Sequence, residues 1–409
     1  MIHVACTYEE ALRAKPLVLR AYDEERSRRW PFLSDVLEQA LRGVPEEERA
    51  VVAAAVHALV KYDRLLAFAC GSGDADARFE ALFAIARGLT DVAPRIDRIE
   101  NATERAGVTH SFPDWIVELV NDAAMLGRMN ELPARALRVN TLKTTRDACA
   151  QALAAEGLSA RPTRHAAQGL VLEGRRSPFR TQAFARGDFE VQDEASQMVA
   201  ELVAPPPRSA AVDACAGAGG KTLALAALLA GKGRLFALDA SRDKLAELQR
   251  RARRAGASNV QAIAVDLLEP GDALRDLAGR ASRVLVDAPC TGLGAIRRNP
   301  EARWRLQPAD LPRLIASQTA FLRAAAPLVA ANGRLVYATC SFLPDEGERA
   351  VDAFLAEHPA FRLVTVRDVL GRARTDRVAT PDGRYLHTWR TDPRSSRPFG
   401  VGAPNDEPG

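Results

Sequence analysis

Long apolar runs are missing from this chain. None approaches the roughly 18–20 apolar residues that a bilayer-spanning helix needs, and the longest, Val51 to Val60, is broken by His57. The amino terminus has no basic segment followed by an apolar one, so no signal peptide is expected. The expected location is the cytoplasm, with no membrane partner. Cysteine lacks pattern: Cys6, Cys70, Cys149, Cys215, Cys290 and Cys340 show neither a Cys-x-x-Cys nor a Cys/His ligand spacing. That argues against a disulfide framework and against a metal site. Internal repeats are absent. A strong charge of one sign is absent too; the formal net charge is +4, too small by itself to demand a nucleic-acid partner. The basic surplus is uneven, with nine arginines against four aspartates from Phe361 to Arg397. That stretch reads equally as a solvated surface or as an RNA-binding face.

What is present is a globular composition, 47% hydrophobic and 26% charged over 409 residues, enough for two or three domains. Apolar residues recur at helical spacing in Leu33, Val36, Leu37, Ala40 and Leu41, and again in Val51, Val52, Ala55, Val56, Leu59 and Val60. Residues 1–110 are therefore expected to form a helical domain, with His57 packed in its core. Residues 111–204 mix strand candidates (136–140, 169–172, 188–191) with helices and suggest a small α+β domain. Pro205-Pro206-Pro207 marks a linker. From 208 to 393 buried apolar strands alternate with helices, the pattern of a doubly wound α/β (Rossmann-like) sheet that binds ligands beyond its strand carboxyl ends. Residues 394–409 are expected to be a disordered tail.

The first strand of that sheet runs into Asp213-Ala214-Cys215-Ala216-Gly217-Ala218-Gly219-Gly220-Lys221-Thr222. A phosphate-binding loop would need glycine where Cys215 stands, and a dinucleotide loop would need glycine where Thr222 stands. The loop instead suits a nucleoside with an amino-acid tail. Asp239 is expected to end the second strand, within reach of ribose hydroxyls. Asp266 is expected to end the third, near an adenine amino group, and Asp287 the fourth. S-adenosylmethionine fits this layout better than a dinucleotide. Lys221 reads equally as a cofactor contact or as a solvated lysine at a helix start.

Two further motifs lie at strand ends: Asp287-Ala288-Pro289-Cys290-Thr291-Gly292-Leu293-Gly294 and Thr339-Cys340-Ser341. Together with Asp213–Thr222, Arg138-Val139-Asn140-Thr141-Leu142-Lys143, Gln192-Asp193-Glu194-Ala195-Ser196-Gln197, Arg297-Arg298-Asn299-Pro300 and Trp304, they make the chain resemble the RNA cytosine-5 methyltransferase family that includes the bacterial 16S ribosomal RNA enzyme of the RsmB or Sun type. The likeness spans about residues 111–351. It implies a class I methyltransferase domain, preceded by the α+β unit as an RNA-binding domain and by antiterminator-like helices.

The resemblance further implies S-adenosylmethionine held by Cys215, Ala216, Gly217, Ala218, Gly219, Gly220, Lys221, Asp239, Asp266 and Asp287. RNA, 16S ribosomal RNA above all, is the implied substrate of a monomeric enzyme. Carbon 5 of cytosine is a poor nucleophile until a thiolate adds at carbon 6. The resemblance assigns that attack to Cys340 and adduct release to Cys290; spacing alone does not decide between them. Asp287 is expected to supply a protonated carboxyl beside ring nitrogen 3. Arg297, Arg298, Arg303 and Lys143 are expected at substrate phosphates, with surface charge as the competing reading of the arginines. Trp304 either stacks on a base or packs beneath the loop. Two other functions fit the same residues: methylation of transfer RNA or another RNA, and a non-catalytic RNA-binding or assembly factor. Two departures from the family are visible. Gly347 stands where the family usually has asparagine, and Leu386-His387-Thr388-Trp389-Arg390-Thr391-Asp392-Pro393 lacks the usual phenylalanine pair and closing apolar strand.

Overall fold

The computed structural model describes residues 2–387 apart from Ser72 and Arg175. The tail and the closing segment from Thr388 onward lie outside the described residues. The chain forms two compact units: one from the amino terminus to Pro133 together with Thr291–Leu311, the other from Ala134–Cys290 and the chain from Pro312 onward. No described helix is long and apolar enough to cross a membrane.

The first unit is helical. Thr7 and Glu10 close a reciprocal cap on the helix Tyr8–Arg13, satisfying two backbone amides that would otherwise lack partners. The helix Glu46–Lys61 has three glutamates in its first turn and a lysine in its last, as the helix dipole favours. Its residues Val52, Ala55, Val56, Leu59 and Val60 are fully buried and pack with Val18, Tyr22, Leu66 and Phe79. The expected helical periodicity is therefore the core-facing stripe.

The segment Thr291–Leu311 is built into this helical unit, whereas the sequence places it in the α/β domain. Arg303 explains why. Its side chain is fully buried, and one nitrogen, Nη1, donates to the carbonyls of Lys61 and Ser111 (3.1 Å each) and to Asn130 Oδ1 (2.8 Å). Its guanidinium lies 4.0 Å from the centre of the Phe112 ring. Burial pushes Arg303 down to about 9, and Lys61, also fully buried, down to about 7. Next to it Trp304 donates from Nε1 to the Val60 carbonyl (2.7 Å) and its ring lies 5.9 Å from that of Trp30. Of the two readings of Trp304, packing holds. His57 Nε2 sits 3.2 Å from the Arg298 carbonyl, and burial pushes its pKa down to about 3, so it is a neutral, packed histidine.

The second unit holds two sheets. Strands β1 (Ala136–Val139), β2 (Ala160–Pro162), β3 (Gly169–Leu172) and β4 (Phe189–Val191) pair antiparallel in the order β2-β3-β1-β4. The sequence marked three of these; β2 ends in Pro162 and lies at the sheet edge, which hides its strand pattern. The larger sheet joins β5 (Ala210–Asp213), β6 (Arg234–Asp239), β7 (Val260–Ala264), β8 (Ala281–Asp287) and β9 (Val329–Ala338), all parallel, in the order β7-β6-β5-β8-β9. Alternate residues feed two cores. Ala211, Leu235, Ala237 and Leu285 face the helices Gly220–Leu228 and Arg242–Ala255. Val212, Phe236, Leu238, Val284 and Val286 face the other way, toward Ala325 and Leu328. The fold is therefore mixed α/β with a doubly wound sheet, as the strand and helix alternation requires. β9 is its last described strand, and a cavity of 850 Å³ lined in part by β9 and by Pro359, Phe361 and Leu363 runs beside it.

Replacing Arg303 with leucine should destabilise the helical unit by about 3 kcal/mol, because three buried acceptors lose their donor. Urea unfolding of the full chain checks this. A change under about 1 kcal/mol would show that the hydrogen bonds are dispensable.

Candidate active site

Strand order brings the expected site residues of the larger sheet to one edge. β5 ends in Asp213, β6 in Asp239 and β8 in Asp287, as expected. Asp266 differs: β7 stops at Ala264, and Asp266 lies two residues beyond, in a turn where its Oδ1 accepts from the Leu268 amide (2.9 Å).

After β5 the chain turns through Gly217 and Gly219, both at positive φ (+53° and +89°), into the helix Gly220–Leu228. A side chain at Gly219 would put Cβ 2.7 Å from Leu248 Cγ, so the loop lies tight on the neighbouring helix. Gly219 caps the helix without a side-chain acceptor, which leaves the first-turn amides to a ligand. Asp239 holds the loop: its Oδ2 accepts from the Gly217 amide and its Oδ1 from the Ser241 amide, 2.8 Å each. On the far side Arg251 Nη1 donates to the Ala218 carbonyl (2.7 Å) while pairing with the buried Glu190 (2.9 Å).

Lys221 is not a solvated lysine. Its Nζ is 2.6 Å from Asp287 Oδ2. Burial works against the ammonium, but the charge of Asp287 and its hydrogen bond, helped by Asp213, hold Lys221 above its ordinary value. The Asp287 carboxyl that the sequence places beside the substrate ring thus has an ammonium partner of its own. Asp213 lies beneath, fully buried, accepting from Thr222 Oγ1 (2.7 Å) and pushed up to about 6 by burial. Burial, then Asp213, Asp287 and Asp239, push the Cys215 thiol far up, so it lines the site as a neutral group.

The two cysteines meet. Cys290 Sγ lies 3.2 Å from Cys340 Sγ. The register explains it: Asp287 of β8 pairs with Ala338 of β9, so the loops carrying the two thiols leave the sheet side by side. The hydrogen bond from Cys290 holds the Cys340 thiol below its ordinary value, with Lys221 assisting while burial and the Asp287 carboxylate oppose. Cys340 is exposed as a residue, although the groups packed around its sulfur make burial count against the thiolate. A thiol of lowered pKa that solvent can reach is a competent nucleophile.

The four expected substrate contacts have different surroundings. Arg303 is sealed in the helical unit, where no phosphate reaches it. Arg297 lies 3.9 Å from Glu131 and is mostly buried, and Arg298 offers its carbonyl to His57, all within that unit. Lys143 Nζ donates to the carbonyls of Arg186 and Arg254 (2.7 Å to the latter), the last turns of two helices. Its ammonium fastens the small sheet to the larger domain, as does Asn140, whose Nδ2 donates to Gly187 and Ala255 carbonyls at 2.8 Å each. Arg138 and Gln192 join in: Arg138 Nε donates to Gln192 Oε1 (2.7 Å), and Gln192 Nε2 would lie 3.7 Å from a Cβ at Gly220. No group of three or more His, Cys, Asp or Glu suited to a metal ion occurs among the described residues.

A glycine turn into a bare helix start, an acid at the end of β6 and a parallel sheet in this order define a class I methyltransferase. Residues 200–381 match the family model described as 16S rRNA methyltransferase RsmB/F, and residues 112–177 match its ferredoxin-like domain. The chain is 32% identical over 335 residues to a probable ribosomal RNA small subunit methyltransferase B of Synechocystis sp., covering 78% of this chain and 75% of that protein. It is 33% identical over 276 residues to a Bacillus subtilis protein of the same description, covering 66% and 61%. Among solved structures, that of PH0851 aligns with a TM-score of 0.72 at 25% identity, over 86% of this chain and 91% of that one. The structure of NSun6 from Pyrococcus horikoshii with SFG aligns at 0.55 and 22% identity, over 61% and 88%, and shares the fold. The chain belongs to the RsmB/F methyltransferase family.

Alkylation by iodoacetamide across pH should label Cys340 well before Cys215. In Cys290→Ala the Cys340 midpoint should move to higher pH, because the largest influence lowering it is removed. Peptide mass spectrometry reads both, and an unmoved midpoint would remove Cys290 as the cause.

Proposed function

We propose that this protein methylates carbon 5 of cytosine in RNA, 16S ribosomal RNA foremost, through a covalent adduct between Cys340 and carbon 6. The observation that carries the reading is the pair of thiols 3.2 Å apart beside the Lys221–Asp287 ion pair. The descriptions of the curated relatives point to ribosomal RNA of the small subunit.

The residues present fit S-adenosylmethionine. The amides of the Gly217–Gly220 turn suit a carboxylate, Asp239 at the end of β6 suits ribose hydroxyls, and Asp266 suits an adenine amino group. When bound, it supplies an electrophilic methyl group. The chain does the rest. The Cys340 thiolate adds to carbon 6, making carbon 5 an enamine carbon able to attack. Asp287, with its proton-bearing partner Lys221, shares a proton with ring nitrogen 3 as charge gathers there. Release requires carbon 5 to lose its proton to a base. Those electrons restore the ring double bond, the carbon–sulfur bond breaks, and its pair returns to Cys340. Cys290, in contact with that sulfur, assists this second half. The target cytosine must leave its stack to reach the thiols.

Denaturing gels with substrate RNA and cofactor test the assignment. Cys340→Ala should abolish methylation and form no adduct, whereas Cys290→Ala should accumulate a protein–RNA adduct. Adduct from the first and none from the second would reverse the roles. Cofactor binding without methyl transfer to any RNA would favour the assembly-factor reading.

A further inference from the structure

The helix Asp310–Ala325 presents three buried residues to the α/β domain: Gln318, Leu322 and Ala325. Leucine and alanine at such positions are ordinary core. A fully buried glutamine is not, because a buried amide costs free energy wherever it lacks partners, and here the nitrogen end has them while Oε1 is buried without one among the described residues. Its two amide hydrogens are spent on two targets. Gln318 Nε2 donates to the Pro289 carbonyl and to Glu346 Oε1, 2.9 Å each. Pro289 immediately precedes Cys290.

Glu346 completes the connection. It ends the short turn Pro344–Glu346 and is itself fully buried. Its backbone carbonyl accepts from Tyr337 Oη (2.9 Å) and from Thr339 Oγ1 (3.4 Å). Thr339 immediately precedes Cys340. One amide and one glutamate therefore tie together the residues next to both cysteines. Two buried polar side chains are a poor way to add stability, since apolar residues of similar volume would serve at least as well. They are a good way to fix a distance, because two donors at set angles define where each loop sits.

We propose that Gln318 and Glu346 are positioning residues that set the separation of the Cys290 and Cys340 sulfurs. The inference rests on the adduct mechanism only for its purpose. Proton transfer during release demands hydrogen-bond distance, and a loosened loop loses it steeply.

The sulfur separation can be read without RNA or methyl transfer. In glutathione buffers the two thiols exchange with oxidised glutathione, giving one Cys290–Cys340 disulfide and two glutathione thiols; the equilibrium reports their effective concentration. Gln318→Leu should lower that effective concentration at least tenfold in the full chain, while S-adenosylmethionine binding by calorimetry shifts less than twofold. Glu346→Leu should do the same. Glu346→Gln, which keeps an acceptor for Gln318, should stay within threefold of the wild type. In single turnover with RNA, Gln318→Leu should slow adduct release at least tenfold and leave adduct formation within threefold. A wild-type effective concentration in a Gln318→Leu protein that binds cofactor normally would overturn the proposal. So would a wild-type chain that forms no such disulfide. A moved disulfide equilibrium with unchanged adduct release would reduce the pair to a structural clamp and leave cytosine methylation standing. Loss of methylation chemistry in the wild type itself would sink the functional reading without touching the disulfide result.

Discussion

Everything at this site depends on the register of two parallel strands. Asp287 of β8 sits opposite Ala338 of β9, and the Ala288 amide donates to the Ala338 carbonyl at 2.9 Å. Three residues beyond Asp287 comes Cys290, and two beyond Ala338 comes Cys340. A slip of one residue would turn the alternate side chains of β9 from one face to the other and part the thiols. The slip is opposed by the burial of Val284, Leu285 and Val286 on the two faces of β8, and on the edge strand β9 by its ladder to β8 and by the buried Val336 and Ala338. The β8–β9 ladder, set on a packed β8, is therefore the physical source of the sulfur contact.

Around that contact the charges are arranged in depth. Asp213 is buried at the bottom with Thr222, the Lys221–Asp287 pair lies above it, and the lowered Cys340 thiol is open to solvent. Burial, and then neighbouring acids, raise Cys215, two residues past Asp213, while the Cys290 hydrogen bond and Lys221 lower Cys340. The same element, sulfur, is silenced at one strand end and activated at another. A loop held by Asp239 on one side and Arg251 on the other faces the same edge.

Much of this was legible in the sequence because strand-end motifs and glycine loops are local. The five parallel strands, the acids at three of their ends and both thiols follow from short stretches of chain. Long-range bonding was not legible. Arg303 read as a phosphate contact because a basic residue next to a motif looks solvated; only the fold shows its guanidinium sealed against the Lys61 and Ser111 carbonyls and Asn130, and shows Lys143, exposed at the surface, bonded to the Arg186 and Arg254 carbonyls. Gln318 and Glu346 carried no signal, since a glutamine in an amphipathic helix and a glutamate in an acidic turn are unremarkable until their partners are known. The Lys221–Asp287 pair was hidden for a related reason: the two residues lie sixty-six positions apart in sequence.

The most direct measurement uses RNA in which the target cytosine carries fluorine at carbon 5, so that the final elimination cannot proceed and the adduct is trapped. Peptide mapping of the trapped complex by mass spectrometry should place the RNA on the peptide containing Cys340. Attachment at Cys290, or no attachment with cofactor present and the chain folded, would contradict the account.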